Sequence, residues 1–368
     1  MSVQLTDGRP PAWVVGSIGF MIVASFALRI LIPTGMDPTV FLALGEESSI
    51  QTAYARGLLG DVATRPDNLG HDGRFFFPQA NDPWYLDPER HASVLDRPLY
   101  RGQRMLYPLI AGGFGLFPPG VVAWSMLVTN LIAMAIGTWL AARLAASWGA
   151  STWLGLAVPL NVGLIFEIDI GGAGVLAYVF CLGGVYALVT DRSWTAAILF
   201  AAAALSREVM VAFAVGLFIL AWLDGRRFLW RIVVVPVLAM AIWYAYLRSR
   251  LTGVTGVGGA LQIFAAPFVG MWQAFRSWAA DPDDLVINIV ILAIVATFTI
   301  LALRSRLPLA WGALPFVALA TTLSVHVWRE PFDLSRALVP VFTAAPFLLV
   351  LARRDAPALQ GGTTPERA

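Results

Sequence analysis

The sequence contains no lysine. All 25 basic residues are arginine, and with 23 acidic residues they give a formal net charge of only +2. So small a charge, without a basic run, argues against nucleic acid as a partner. The single cysteine, Cys181, excludes a disulfide framework and a cysteine metal site. The three histidines are scattered without metal-ligand spacing. The many acidic residues could hold a divalent ion, but the arginines near them favour a site without metal, and we predict no cofactor.

Charged residues are scarce as well. They make up 13% of the chain, against 58% hydrophobic residues and a mean hydropathy of +0.72. Soluble globular chains carry about 25% charged residues and roughly 45–50% apolar ones, so this composition predicts a protein of the lipid bilayer. Its polar residues gather in residues 36–104, which hold ten acidic residues and seven arginines. We call this stretch the polar island.

Apolar runs outside the polar island predict an all-α polytopic membrane protein with about ten transmembrane helices, each of about 20 residues or somewhat fewer. Two short spans are expected within residues 194–223, meeting at Ser206-Arg207-Glu208. The other predicted spans are residues 13–33, 121–146, 153–166, 172–189, 229–247, 285–303, 308–327 and 337–352.

The remaining segments complete one predicted membrane domain, residues 1–352. Its large first outer loop covers residues 34–118 and ends in a juxtamembrane helix at 105–117, which is too short to span. Residues 253–280 fit an interfacial or re-entrant loop. Arginines in the short loops place both termini in the cytoplasm and the polar island outside. A disordered cytoplasmic tail follows at 353–368.

Asp72 is the first candidate for chemistry. It lies between His71 and Gly73, shortly before three phenylalanines at 75–77 that we expect to pack on the membrane surface. A carboxylate held there could act as a general base, with its pKa moved toward the working pH. The alternative is an Asx-turn, because Asp-Gly is a common turn dipeptide.

Arginines form the second group of candidates. Pro98 favours a helix start, and the spacing then puts Arg97, Arg101 and Arg104 on one helix face, where they could hold a phosphate at headgroup level. The alternatives are anchoring to lipid headgroups and pairing with the acids of the polar island. Arg336, next to the last predicted span, is a further phosphate ligand or part of an ordinary charged loop.

Two more charged pairs lie outside the polar island. Arg207 and Glu208 interrupt an apolar stretch, and such charges usually face a cavity. A buried structural pair is the alternative, since desolvation can cancel the attraction between two buried charges. Glu167 and Asp169 flank a short loop. They could contact a polar acceptor, but we expect a plain solvated turn.

Two motifs carry a family resemblance. Residues 71–76 read His-Asp-Gly-Arg-Phe-Phe, and residues 96–109 read Asp-Arg-Pro-Leu-Tyr-Arg-Gly-Gln-Arg-Met-Leu-Tyr-Pro-Leu. With the first span, the break at 206–208 and the charged loop before the last span, this pattern resembles the bacterial branch of the GT-C superfamily of multi-span glycosyltransferases. We expect no C-terminal soluble domain of the kind that binds acceptors in larger members, which leaves the acceptor open.

The resemblance implies an inverting glycosyltransferase of the bacterial inner membrane. Such enzymes move a sugar from a polyprenyl-phosphate carrier to a saccharide, lipid or protein acceptor on the outer face, in cell-envelope synthesis. It implies Asp72 as the base, with Asp37 as a rival. The expected donor-phosphate ligands are Arg97, Arg101, Arg104, Arg207 and Arg336. Expected substrate contacts are His71, Arg74, Tyr107, Glu208 and Glu330.

Two other functions stay open from the sequence. A transporter or flippase of a lipid-linked saccharide would favour mid-span polar residues in both halves and an internal repeat. The sequence shows neither feature. A non-catalytic scaffold in an envelope-polymer complex would tolerate neutralisation of Asp72, Arg101 and Arg207 without losing its function.

Overall fold

A computed structural model describes residues 9–254, 263–279 and 282–351. Within these ranges every regular element is a helix, apart from three isolated β-bridges, which confirms the all-α prediction. The predicted tail at 353–368 lies outside the described residues. The α-helices of the first half are α1 Ala12–Leu31, α2 Ser49–Leu59, α3 Gly73–Asn81, α4 Pro88–Val94, α5 Pro98–Arg101, α6 Leu106–Ala111, α7 Pro119–Ser147, α8 Val162–Asp169 and α9 Gly174–Val189.

The second half of the described chain is built in the same way. Its α-helices are α10 Ser193–Ser206, α11 Val211–Leu223, α12 Arg231–Arg250, α13 Val269–Trp278, α14 Pro282–Arg304, α15 Pro308–Thr321, α16 Val325–Arg329, α17 Pro331–Ala337 and α18 Val339–Leu351. Short 3-10 helices cover Pro38–Leu42, Gly113–Gly115, Thr152–Ala157, Glu208–Met210 and Arg227–Trp230.

Four of these helices, α1, α7, α12 and α14, are long and apolar enough to cross a membrane. α17 and α18 make a fifth candidate if they count as one span, although the chain bends by 70° between them. α9, α10, α15 and residues 208–223 are apolar but shorter. The described residues therefore form a helical membrane protein with four or five candidate spans, and the number of about ten stays a prediction.

The predicted span at 153–166 is wrong as a continuous helix. The segment consists of a 3-10 helix and α8, with Pro159 and Asn161 between them. Proline lacks the N–H that a continuing helix needs. The side chain of Asn161 then starts α8 by accepting a hydrogen bond from the Gly163 N–H at 3.0 Å. This break sets the end of α8, and with it Glu167, close to the polar island.

Small residues allow α9 and α10 to pack closely beside α7 and α12. A Cβ atom at Gly184 of α9 would lie 2.6 Å from the ring of Phe200 on α10. Ala196, Ala197 and Ala203 of α10 are fully buried. Close packing through small side chains is the usual basis of helix association in membranes, and here it fixes the end of α10 at Arg207.

The polar island is folded against the membrane helices. Phe75, Tyr85 and Leu95 are buried in one cluster with Trp243 and Leu247 of α12. The expectation that phenylalanines 75–77 pack on the membrane surface is therefore wrong: α12 covers Phe75, Tyr107 of α6 packs on Phe76, and Tyr54 of α2 packs on Phe77. The indole of Trp243 also donates a hydrogen bond to the carbonyl oxygen of Gly102 at 2.7 Å.

Gly73 fixes the place of Asp72. Its N–H donates to the carbonyl oxygen of Ile170 at 2.8 Å. A Cβ atom at this position would lie 2.7 Å from the oxygen of Leu42 and 2.8 Å from that of Ile170. Only glycine lets the start of α3 approach both backbones, and this approach brings Asp72 next to the end of α8.

The loop predicted at 253–280 is described only in part. Residues 255–262 and 280 lie outside the described residues. In the described part, α13 buries Trp278 and exposes Trp272 and Phe275. An amphipathic helix with exposed aromatic rings is typical of the membrane interface, in keeping with the predicted interfacial loop.

Candidate functional site

A cavity of about 900 Å³ lies where the polar island meets residues 207–211, α12, α15, α16 and α17. Its charged wall comprises Asp72, Arg74, Arg97, Arg101, Arg104, Arg207, Glu208, Asp333 and Arg336. The apolar wall includes Met210, Val211, Val237, Met240, Phe264, Phe316, Leu319 and Leu323. α12 is a candidate span with only 17% of its apolar stretch buried, so the apolar wall is built partly from a helix that faces lipid elsewhere.

Asp72 lies at the centre of the charged wall. Arg336 donates a short hydrogen bond to its Oδ2. Arg101 Nη1 lies 3.4 Å from Oδ1, and Arg104 Nη1 lies 4.0 Å from Oδ2. The Asp72 side chain forms no capping bond to α3. Its carboxylate therefore pairs with arginines and forms no Asx-type hydrogen bond at this turn.

These arginines are held in turn by other carboxylates. Arg101 donates two hydrogen bonds to Asp96, both at 2.8 Å. Arg104 donates two to Glu208, again both at 2.8 Å. Such two-pronged pairs fix the plane of the guanidinium group as well as its position. Arg101 and Arg104 are therefore held rigidly beside Asp72.

Glu167 joins the two sides of the cluster. Its side chain is 1% exposed and accepts hydrogen bonds from Arg207 and Arg336, each at 2.8 Å, and from the Gly174 N–H at 2.9 Å. The expected solvated turn is therefore wrong for Glu167. Asp169 does lie near the surface, where it pairs with Arg65 at 3.0 Å.

One further correction concerns three arginines of the polar island. Arg97 precedes α5, Arg101 ends it and Arg104 follows it, so the prediction of one helical face is wrong. Gly102, which follows α5, packs closely: a Cβ atom there would lie 2.7 Å from the Tyr85 hydroxyl. Arg101 and Arg104 still reach Asp72, because the chain turns back on itself after Gly102.

The pKa of Asp72 moves in the direction opposite to the expected one. Burial alone would raise it, but the charges of Arg336, Arg104 and Arg101 outweigh burial and hold the pKa well below its ordinary value. Asp72 is ionised at neutral pH, and its affinity for a proton is low while those three arginines surround it.

His71 also lines the cavity. Its ring packs edge-to-face on Phe166, with 5.5 Å between ring centroids. Burial lowers the pKa of His71 from its ordinary value, although the charge of Asp333 opposes the shift. His71 is therefore neutral at pH 7 and can offer one ring nitrogen as a donor and the other as an acceptor.

The structure does not bring three other predicted residues to the cavity. Asp37 starts the 3-10 helix Pro38–Leu42 by accepting hydrogen bonds from the backbone and hydroxyl of Thr39. Glu330 is exposed where α17 begins. Tyr107 is fully buried, donates to the Met126 carbonyl oxygen and accepts from Asn130. None of the three is part of the cavity wall.

Fold and site together define an all-helical membrane protein with a buried arginine–carboxylate cluster beside a cavity of mixed polarity. No protein-family model, no curated protein and no solved structure matches the chain. The resemblance to the GT-C superfamily therefore stays a prediction that depends on the two sequence motifs, and the function is argued from the site.

Proposed function

We propose that the protein is an inverting glycosyltransferase that takes a sugar from a polyprenyl-phosphate carrier and transfers it to an acceptor hydroxyl. The observation that carries the proposal is the mixed wall of the cavity. Arginines and apolar side chains of α11, α12 and α15 line one space. A lipid phosphate needs both surfaces, because its headgroup requires charge-assisted donors and its chain requires an apolar contact.

The charge of the cluster supports a phosphodiester. Six arginines and five carboxylates make up the charged group, which leaves one positive charge when His71 is neutral. They are Arg74, Arg97, Arg101, Arg104, Arg207 and Arg336 with Asp72, Asp96, Glu167, Glu208 and Asp333. A sugar linked through one phosphate to a polyprenol carries one negative charge, so it would neutralise this excess. A buried site without net charge is easier to desolvate.

The proposed reaction uses Asp72 as the general base. Asp72 accepts the proton of the acceptor hydroxyl, and the acceptor oxygen attacks the anomeric carbon from the face opposite the phosphate. The bond from the anomeric carbon to the phosphate oxygen breaks, and polyprenyl phosphate leaves with the electron pair. Arginines around Asp72 stabilise the charge that develops on this leaving group. The sugar is transferred with inversion of configuration.

An exchange of partners would turn Asp72 into an effective base. In the structure Arg336, Arg101 and Arg104 surround Asp72 and lower its pKa. A donor phosphate that accepts hydrogen bonds from these arginines would draw them away from the carboxylate. The pKa of Asp72 would then rise, because burial acts without the opposing charges. Donor binding would thus precede removal of the acceptor proton.

The proposal places this chemistry at the outer face of a bacterial inner membrane. Partners are then membrane lipid, the polyprenyl-phosphate sugar and a saccharide, lipid or protein acceptor. Both termini are in the cytoplasm in this orientation. Neither a cofactor nor a metal takes part in the proposed step, because arginines supply the positive charge that stabilises the phosphate.

Transfer of a labelled sugar by the purified full-length protein tests the proposal. Polyprenyl-phosphate sugars serve as donors, and an envelope fraction serves as the acceptor. The Asp72→Asn variant should transfer at least about 100-fold more slowly, the usual contribution of a general base. Asp67→Asn, an exposed change in the same polar island, is the matched control and should keep the full rate.

Two results would contradict the proposal in different ways. Unchanged transfer by Asp72→Asn would remove Asp72 as the base. Absence of transfer from every polyprenyl-phosphate donor, with folded wild-type protein, would refute the glycosyltransferase itself. Movement of the intact lipid-linked saccharide across vesicles would then favour a flippase.

A further inference from the structure

Two arginines of the cavity differ from the other four. Arg101, Arg104, Arg207 and Arg336 each form a salt bridge with a carboxylate. Arg74 and Arg97 form none within residues 9–254, 263–279 and 282–351. The Nε atom of each is buried and has no hydrogen-bond partner among these residues. Both side chains are half-buried, but buried donors are normally paired, so the buried Nε edge of each guanidinium group calls for a ligand.

Aromatic rings hold both groups in place. The guanidinium carbon of Arg74 lies 4.5 Å from the centroid of the Phe75 ring, which also packs against Arg101 at 3.9 Å. Arg97 lies 4.6 Å from the centroid of the Tyr100 ring. A ring face attracts the cation but leaves the N–H donors at the edge of the guanidinium plane free. Those donors are therefore held in position and uncommitted.

The electrostatic surroundings also favour an anion here. Burial and, after it, the neighbouring positive charge of Arg101 lower the pKa of the Arg74 guanidinium to about 10. Asp96 and Asp72 oppose this shift, but Asp96 already accepts two hydrogen bonds from Arg101. The cation of Arg74 is thus short of compensation, which an anion in the cavity would supply.

We propose that Arg74 and Arg97 form an anion-binding subsite on the charged wall of the cavity, which takes a singly charged phosphate diester. The phosphate belongs either to the lipid-linked donor or to a phosphorylated acceptor. This choice between donor and acceptor rests on the proposed function, whereas binding of the phosphate does not. The four remaining arginines keep their salt bridges to Asp96, Glu208 and Glu167 when the subsite fills.

Equilibrium binding of two probes tests the subsite. Dimethyl phosphate is a soluble diester, and methyl dodecyl phosphate is a lipid diester with the same single charge. The full-length protein is purified in a neutral detergent at low salt. The double variant Arg74→Gln/Arg97→Gln should bind both probes at least about tenfold more weakly, because charge-assisted hydrogen bonds are lost. Arg56→Gln, an exposed arginine of the same polar island, should bind like the wild type.

Thermal stability separates a binding role from a structural one. Without phosphate, the double variant should melt at the same temperature as the wild type or higher, because two uncompensated cations are removed. Phosphate should stabilise the wild type and not the double variant. A lower melting temperature of the variant without phosphate would show that both arginines serve packing, and it would overturn the proposal. Equal affinity of the wild type and the double variant would also overturn it.

Competition between the probes identifies the source of the phosphate. If the donor phosphate occupies the subsite, methyl dodecyl phosphate binds more tightly and displaces dimethyl phosphate. If the acceptor phosphate occupies it, dimethyl phosphate still binds when the lipid probe is saturating. Either result supports the subsite. A protein that binds phosphate through Arg74 and Arg97 but transfers no sugar would keep the subsite and lose only the proposed glycosyltransferase.

Discussion

The two ends of α10 and α11 place charged residues in very different surroundings. Next to the cavity, Arg207 and Arg336 share Glu167, and the three side chains are 16%, 10% and 1% exposed. At the opposite end, Asp224 faces Arg306 at 3.4 Å, and the arginine side chain is 49% exposed. Exposed pairs contribute little, whereas removing one member of a buried pair is strongly destabilising. The charges at the cavity end are therefore interdependent, and those at the far end are not.

The largest loss of stability is expected from removing a charge at the buried, cavity end. Glu167→Gln leaves Arg207 and Arg336 without their shared carboxylate, so the free energy of unfolding should fall by about 3–5 kcal/mol. Thermal unfolding in detergent measures the change. A melting temperature equal to that of the wild type would show that the cluster does not depend on Glu167, and the contrast between the two ends would fail.

Asp72→Asn should lower the stability at neutral pH by about 3 kcal/mol, since Arg336 loses one of its carboxylates. The pKa of Asp72 is held below its ordinary value by Arg336, Arg104 and Arg101, against burial. Asp72 therefore stabilises the folded state above about pH 4, its pKa in the unfolded chain. This contribution is lost as the pH falls below that value.

Melting temperatures of the wild type and Asp72→Asn between pH 7 and pH 3 measure this pH dependence. The difference between the two proteins should shrink with acidification. Asp67→Asn is the control with an exposed carboxylate, and it should show no such trend. A difference between wild type and Asp72→Asn that stays constant down to pH 3 would mean that the arginines do not lower the pKa of Asp72.

Gly73→Ala tests how the cavity end is assembled. The added methyl group would lie within 2.8 Å of the carbonyl oxygens of Leu42 and Ile170, and we expect a loss of about 1–3 kcal/mol from overpacking. The start of α3 would shift, so the proposed sugar transfer should slow as stability falls. Gly57→Ala, which meets no atom within 4 Å, is the matched control. Equal stability of the two variants would rule out the close approach.

The smallest change in stability is expected at the exposed end, away from the cavity. Asp224→Asn removes the partner of Arg306, and the free energy of unfolding should change by less than about 1 kcal/mol. Thermal unfolding at low and at high salt measures this change, which should vanish at high salt because exposed charges are screened. A loss as large as that of Glu167→Gln would make the two ends alike.

The sequence predicts the helices of this fold better than the tertiary contacts between them. Runs of apolar residues locate α1, α7 and α12, and the charged break locates the end of α10. The concentration of acids and arginines likewise marks the polar island as the source of Asp72, Arg101 and Arg104. Such signals are local, because composition and periodicity report only on neighbouring positions along the chain.

Burial by distant segments leaves no such local signal. Glu167 lies 40 positions before Arg207 and 169 before Arg336, and nothing near it in the sequence distinguishes it from a solvated turn residue. The same holds for phenylalanines 75–77, which are buried only because α2, α6 and α12 pack against them. Arg74 and Arg97 also look like other arginines of the polar island until the structure shows which ones have carboxylate partners.

The position of a bound phosphate tests the central claim most directly. A structure of the full-length protein with methyl dodecyl phosphate would locate it. We predict that the phosphorus density lies on the charged wall. The phosphate oxygens should lie about 2.7–3.2 Å from guanidinium nitrogens. The dodecyl chain should lie along Phe316, Leu319 and Phe264. A phosphate bound away from Asp72 and its arginines, with this cavity empty, would contradict the account.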